Sequence, residues 1–265
     1  MKAGRLQTKP ERDFQKLVEA VSRMAPAAIA FSGGVDSALL AIAAYRANPS
    51  SIMVTVENES VSKKDVEDAK QMAKNFGLKH VLINGDRPKE FYENGEMRCY
   101  YCKKDFIKKV KEEAGKAGIR FVLEGSNMDD AKDYRPGMKA VREEGARSPL
   151  MELGFRKEDV REMAKMLGIP VWDKPSSPCL GTRVPQGTRI SKEQLKRIGD
   201  AEEFIRKEFG VSVLRVRDDG EKAKVQVGLD EMEKVSAGFA RIEEELKKMG
   251  YKKVVLDEGG YKSGG

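Results

Sequence analysis

The six residues Ser32-Gly33-Gly34-Val35-Asp36-Ser37 hold the most concentrated chemistry in this chain. They follow the apolar run Ala27-Ala28-Ile29-Ala30-Phe31 and precede Ala38-Leu39-Leu40-Ala41-Ile42, an order that reads as strand, tight turn, helix. Adjacent glycines let successive backbone N–H groups converge on one point, Ser32 and Ser37 add hydroxyls, and the helix start adds partial positive charge. Such a loop cradles phosphate; the plainer reading is a glycine turn that joins a buried strand to a helix. The lysine and the four-residue gap of a Walker A loop are absent, which argues against an ordinary kinase or GTPase.

The three cysteines are the second chemical group. Cys99-Tyr100-Tyr101-Cys102 has the spacer that brings two thiolates onto one metal or cluster, and Cys179 lies in the proline-rich stretch Lys174 to Arg183. An odd cysteine count argues against a disulfide framework. A structural zinc takes four ligands, and His80 stands among apolar strand residues that suggest packing. Three thiolates suit a 4Fe–4S cluster with one iron left open to a ligand such as hydrosulfide; three unrelated core thiols are the plain alternative.

Positioning these groups requires alternating elements. The pattern predicts helix over Glu11 to Met24, strand over Ala27 to Phe31, helix over Val35 to Ala47, strand over Ile52 to Val56 and helix over Lys63 to Phe76. It continues with His80 to Ile83 as strand, Lys103 to Ala117 as helix, Arg120 to Leu123 as strand and Arg156 to Leu167 as helix. This alternation implies an α/β fold with a parallel sheet covered on both faces, and ligands of such sheets bind at the carboxyl ends of the strands. The glycine loop, Glu57-Asn58 and Glu124-Gly125-Ser126-Asn127-Met128-Asp129-Asp130 all fall at such ends. They should surround one pocket, with Asp130 as ligand to a Mg²⁺ on the bound phosphates and Asn127 as a contact to nucleotide or substrate; a capped turn opening a helix is the alternative.

Beyond Ser191 the pattern changes to a helix ending near Phe209, strands at Val211 to Arg217 and Lys222 to Val227, a helix to Met249 and a strand at Lys253 to Leu256. We read residues 1–190 as the nucleotide domain and 191–265 as a smaller α/β domain. Arg215 and Arg217 share one face of a strand and suit a phosphate or carboxylate. Pairing with Asp218, Asp219 or Glu221 is the plainer use.

With 35% charged and 40% hydrophobic residues, 265 residues describe a globular protein. No apolar run approaches a membrane span and Met1 to Arg12 lacks the apolar core of a signal peptide, so a cytoplasmic location is expected. A net charge of +7 suits an anionic substrate such as a nucleotide or RNA. Lys103, Lys104, Lys108, Lys109 and Lys111 form the one local basic cluster, which a solvated helix face also explains. The Gly-Gly-Tyr-Lys-Ser-Gly-Gly tail reads as disordered.

The glycine loop resembles the SGGxDS signature of PP-loop ATP pyrophosphatases (adenine nucleotide alpha hydrolase-like), which cleave ATP to AMP and pyrophosphate while adenylating their substrate. Along nearly its whole length the chain resembles the LarE family of ATP-dependent sulfur transferases, which serve the nickel-pincer nucleotide cofactor of lactate racemase. The resemblance runs over SGGVDS at 32–37, EGSNMDD at 124–130, Asp133-Tyr134-Arg135-Pro136-Gly137, Ser148-Pro149-Leu150, Pro178-Cys179-Leu180 and Leu214-Arg215-Val216-Arg217. It implies conversion of the carboxylates of pyridinium-3,5-biscarboxylic acid mononucleotide to thiocarboxylates, and often a homohexamer.

By this resemblance Cys179, Asp36 and Asp130 are catalytic candidates. Ser32, Gly33, Gly34, Asp36, Ser37, Asn127, Arg183, Arg215 and Arg217 bind nucleotide or substrate. One branch of the family sacrifices a single cysteine, equivalent to Cys179. The presence of Cys99 and Cys102 resembles the branch that holds a 4Fe–4S cluster, where sulfide on the open iron would attack the acyl-adenylate. A PP-loop tRNA thiolase is the alternative, since such enzymes also carry CxxC with a distant cysteine. Amide-forming synthetases of the NAD or GMP type leave the cysteines without a role. A non-enzymatic regulator is distinguished by a lack of carboxylate-dependent ATP cleavage.

Overall fold

The computed structural model describes residues 7–132 and 136–261. Asp133, Tyr134 and Arg135 of the family motif, and residues 262–265 of the tail, lie outside the described residues. In chain order the elements are α1 (Lys9–Ser22), β1 (Ala27–Ala30), α2 (Val35–Ala47), β2 (Ile52–Glu57), α3 (Lys63–Asn75), β3 (Lys79–Asn84), α4 (Lys89–Glu93), α5 (Arg98–Lys116) and β4 (Phe121–Leu123). Next come α6 (Pro136–Glu143), α7 (Pro149–Glu152), α8 (Lys157–Met166), α9 (Lys192–Phe209), β5 (Leu214–Asp218) and β6 (Lys222–Val227), then α10 (Met232–Ala237), α11 (Phe239–Lys248) and β7 (Lys253–Leu256). Short 3-10 turns cover Met128–Lys132, Leu180–Arg183 and Leu229–Glu231.

The strands of the first sheet run parallel in the order β3-β2-β1-β4. All four residues of β1 are buried, as a central strand covered on both faces must be. α2 is likewise apolar on nearly every side because it packs under other helices: α1, α2 and α8 share one core with Ile29 and Phe31, while Ile107 and Val110 of α5 close the opposite face over Ala28 and Val54. The chain steps outward from β1 to β2 to β3 and then returns to the other side of β1. The order therefore reverses between β1 and β4, and a crevice opens at such a switch point beyond the strand ends. The phosphate loop follows β1 and the acidic loop 124–130 follows β4, so both lie there.

Packing divides the chain into two units: Met1–Asn58, Asp65–Pro88 and Met97–Ser176 form one, and Glu59–Lys64, Lys89–Glu96 and Ser177–Gly265 the other. Chain order suggested a join near residue 190. By contacts, the stretch from Ser177 already belongs to the second unit, where Leu180 N donates to Ser60 O and Ile190 N to Tyr92 O. In that unit β5 pairs antiparallel with β6 and β6 parallel with β7 around one apolar core. The single helix expected before Met249 is two, α10 and α11. They break at Gly238, where an added Cβ would sit 2.3 Å from the Phe209 ring.

Candidate active site

Gly33 adopts φ +74°, and a Cβ there would stand 2.8 Å from the Asp65 carbonyl, so the first turn position admits only glycine for two independent reasons. Gly34 caps α2 without a side-chain acceptor. The hydroxyls knit the loop together: Ser32 N donates to Ser37 Oγ at 3.3 Å, Ser37 Oγ donates to Gly34 O at 3.0 Å, and the two Oγ atoms are 3.2 Å apart. Below the loop, Thr55 donates to Phe31 O at 2.6 Å and so accepts from His80 Nε2 at 2.9 Å. Burial, followed by Lys70, pushes the His80 pKa down, in keeping with its packing role.

A ring of hydrogen bonds joins the phosphate loop to the acidic loop and to the start of α8. Asn127 Nδ2 donates to Asp36 Oδ1 at 3.0 Å, and Asp129 N donates to Asn127 Oδ1 at 2.9 Å. Lys157 N donates to Asp129 Oδ2 at 2.9 Å, and Lys157 Nζ closes the ring on Asp36 Oδ2. Asp130 Oδ2 accepts from Asn127 N at 2.9 Å, which makes it a turn cap within this loop. Gly125 lets the loops touch: its Cβ would lie 2.9 Å from Ser37 N and 3.1 Å from Asp36 C.

Glu124 holds the base of the acidic loop. Its carboxylate accepts from Ser126 N at 3.1 Å, Ser126 Oγ at 2.9 Å, Lys103 Nζ at 2.9 Å and the Ser148 hydroxyl. Burial alone pushes this carboxyl up. The Lys103 charge and the hydrogen bonds from Ser148, Lys103 and Ser126 outweigh it and hold the group below the usual glutamate range. Ser148 thus ties the Ser148-Pro149-Leu150 segment to the start of Glu124-Gly125-Ser126-Asn127.

α5 starts at Arg98, five residues earlier than the apolar pattern suggests, and takes the whole CxxC motif into its N-terminal end. Cys99 and Cys102 stand three residues apart on one helix face, exposed and half-buried. Within either unit, among the described residues, no three His, Cys, Asp or Glu side chains stand together as a metal-binding group. Four of the five clustered lysines are answered by acids: Lys103 by Glu124, Lys104 by Glu143, Lys109 by Asp105 and Lys111 by Glu144. Tyr100 donates to the same Glu143, and Tyr101 is 39% exposed.

In the second unit Cys179 precedes the 3-10 turn, and its carbonyl accepts from Thr182 N at 3.0 Å and Thr182 Oγ1 at 2.9 Å. Arg183, 1% exposed, binds this loop through Pro178 O at 2.8 Å and grips Glu202 with Nε at 2.8 Å and Nη2 at 3.1 Å. Glu202 also accepts from Arg206 at 2.9 Å and from Val216 N at 3.1 Å. Burial pushes the Glu202 carboxyl up, and its hydrogen bond and charge pairing with Arg183, then the Arg206 charge, carry it below the usual range. Arg215 donates to Leu214 O at 2.7 Å and stacks over Tyr261 at 4.9 Å; burial first, then the Arg183 charge, lowers its pKa. Arg217 reaches Gln226 Oε1 at 2.9 Å and Thr182 O at 2.8 Å. Asp218, one of the acids expected to answer these arginines, is taken instead by Arg197 at 2.8 Å, Gln194 at 2.8 Å and Tyr251 at 2.7 Å.

Residues 14–93 match the asparagine synthase family model. The chain is 35% identical to an uncharacterized protein of Synechocystis sp. over 96% of each chain. It is 31% identical to the pyridinium-3,5-bisthiocarboxylic acid mononucleotide synthase of Lactiplantibacillus plantarum, over 94% of this chain and 91% of that one. This chain belongs to the LarE family. A more distant likeness, 25% identity over 76% of this chain and 71% of the relative, reaches a glutamine-hydrolyzing GMP synthase polypeptide of Methanosarcina acetivorans. No helix among the described residues is long and apolar enough to cross a membrane.

For a LarE-family chain, the first unit brings together Ser32, Gly33, Gly34, Asp36, Ser37, Asn127 and Asp130, all of them flagged by the sequence. It adds Lys157, which pattern reading missed. A lysine at the first position of a helix opposes the helix dipole, and that local misfit is the signal that marks it. The second unit gathers Cys179, Arg183, Arg215 and Arg217, with Glu202 and Arg206 as additions hidden within the amphipathic pattern of α9.

Proposed function

We propose that this protein is an ATP-dependent sulfur transferase that adenylates a carboxylate of pyridinium-3,5-biscarboxylic acid mononucleotide and converts it to a thiocarboxylate. The observation that carries this reading is the hydrogen-bonded ring of Asp36, Asn127, Asp129 and Lys157 against a glycine phosphate loop, in a chain whose relative in Lactiplantibacillus plantarum is named for the bisthiocarboxylate product. The loop amides and the start of α2 hold the ATP phosphates. A substrate carboxylate oxygen attacks the α-phosphorus, and the bond from that phosphorus to the pyrophosphate oxygen breaks, with the amides offsetting charge on the leaving group. The mixed anhydride turns a carboxylate oxygen into a leaving group: hydrosulfide adds at the acyl carbon, the C–O bond breaks and AMP departs with that oxygen. Mg²⁺, held by Asp36 and by Asp130 once its turn opens, would supply charge neutralisation on the phosphates.

A 4Fe–4S cluster suits the donor set, since Cys99 and Cys102 are thiols on one helix face and Cys179 is the third. When bound it would supply an iron with an open position for a replaceable sulfide. Arg183 holds the Cys179 loop to Glu202, which fixes the backbone that carries that thiol. Arg215 and Arg217, beside Arg183 and Arg206 and with Glu202 as the shared acid, suit the phosphate of the pyridinium nucleotide. The tRNA alternative gains nothing from the lysines of α5, because four of the five are paired.

The test is single-turnover reaction of anaerobically prepared protein with the bis-carboxylated nucleotide, ATP and sulfide, followed by mass analysis of products and protein. Thiocarboxylate with equal AMP and pyrophosphate, about four irons per chain and an unchanged Cys179 is the expected result. Cys179 lighter by hydrogen sulfide would move the sulfur source to the protein itself. ATP cleavage indifferent to the carboxylate would overturn the proposal.

A further inference from the structure

We infer that Asp36 and the bound phosphates compete for one ammonium: Lys157 is a phosphate-binding residue that Asp36 holds in reserve in the nucleotide-free protein. The inference rests on the adenylation reading and adds a control step to it. Lys157 Nζ lies on Asp36 Oδ2, and Asp36 belongs to the first turn of α2, whose amides face the phosphate position. An ammonium that reaches this carboxylate therefore also reaches an anion seated on the same helix start.

Three further observations favour exchange over a fixed structural pair. The side chains of Lys157 and Asp36 are 35% and 21% exposed, and a pair this accessible to water is weak enough to exchange. The Lys157 backbone is tied separately, by its N–H to Asp129 at 2.9 Å, so its flexible side chain can swing without disturbing the loop. Both Asp36 oxygens are engaged, one by Lys157 and one by Asn127 at 3.0 Å, so a cation that takes Asp36 releases the lysine just as phosphate arrives. Metal and phosphate would then be accepted together.

Titration calorimetry with inorganic pyrophosphate in EDTA tests this without turnover, on the full chain and with melting curves to verify folding. Asp36→Asn keeps the shape and the acceptor for Asn127 but releases the lysine. It should bind pyrophosphate up to about fivefold more tightly than the parent, and Lys157→Met more weakly. The gain should vanish in Asp36→Asn/Lys157→Met. An unchanged or weaker affinity for Asp36→Asn overturns the inference, as does a gain that survives in the double variant, which would mark simple removal of negative charge. Should Asp36→Asn not fold, Lys157 acetylation in the parent gives a second readout: pyrophosphate in EDTA should change the labelling rate less than Mg-pyrophosphate does, and equal effects contradict the competition. Failure of carboxylate-dependent AMP formation would sink the functional reading alone, since these measurements involve no substrate carboxylate.

Discussion

In the first unit each of four carboxylates around the strand ends has a lysine partner: Asp36 has Lys157, Glu124 has Lys103, and Asp65 and Asp68 share Lys174 at 2.8 and 2.6 Å. In the second unit Arg183 and Arg206 share a single carboxylate, Glu202, and Arg215 lies close enough to feel all three charges. The first arrangement pairs every lysine with carboxylate and leaves acid in slight excess until a ligand displaces a partner; the second keeps positive charge in surplus inside a buried network. In the proposed reaction, a site that must release pyrophosphate gains from exchangeable pairs. A site that holds one phosphate through several steps gains from fixed positive charge, because the protein has already borne the cost of desolvating it.

The largest effect should come from breaking the second network at its one acid. Glu202→Ala leaves Arg183 buried without its partner and is expected to destabilise by about 3–5 kcal/mol, read as the urea unfolding midpoint. In the first unit Lys157→Met should spare most of the stability, since its ion pair with Asp36 is accessible, yet lower carboxylate-dependent ATP cleavage by about tenfold. If both variants lost stability equally, the contrast between an exchangeable and a fixed network would fail. Arg217→Gln should raise KM for the pyridinium nucleotide about tenfold with little change in kcat, in keeping with loss of a charged hydrogen-bond donor.

Acid sharpens the same comparison. Glu124 and Glu202 both have folded pKa values below the usual glutamate position, so each contributes stability that is complete above the unfolded value of about 4.3 and is lost as pH falls through the folded value. Urea midpoints should therefore hold steady from neutrality to about pH 5 and decline below about pH 4, with a shallower decline in Glu202→Gln. At the small end, Lys108→Ala should change neither stability nor activity beyond about 0.5 kcal/mol, since no acid among the described residues answers that exposed side chain.

Much of the first unit was legible because its signals are local. The turn glycines, the apolar run before them and the alternation of strands place the phosphate loop, and α2 spans Val35–Ala47 as its pattern indicates. Lys157 was not legible as a site residue, since its role depends on Asp36, far away in the chain. The start of α5 was hidden because Cys99-Tyr100-Tyr101-Cys102 is an unbroken run without a helical apolar repeat, although the helix begins there and packs against α6. Arg183 was recognised as a binding candidate; its burial against Glu202 could not be read, because a buried ion pair leaves no mark in periodicity. The fit of Gly238 against the Phe209 ring, which leaves no room for a Cβ, is a tertiary contact invisible to a helical pattern.

The most direct test of the central claim is to follow oxygen from substrate to product, with the pyridinium nucleotide labelled with ¹⁸O in its carboxylates and AMP examined by mass spectrometry after one turnover. Adenylation of the carboxylate predicts AMP carrying one ¹⁸O for each thiocarboxylate formed. Unlabelled AMP, or release of ADP and phosphate in its place, would contradict the account.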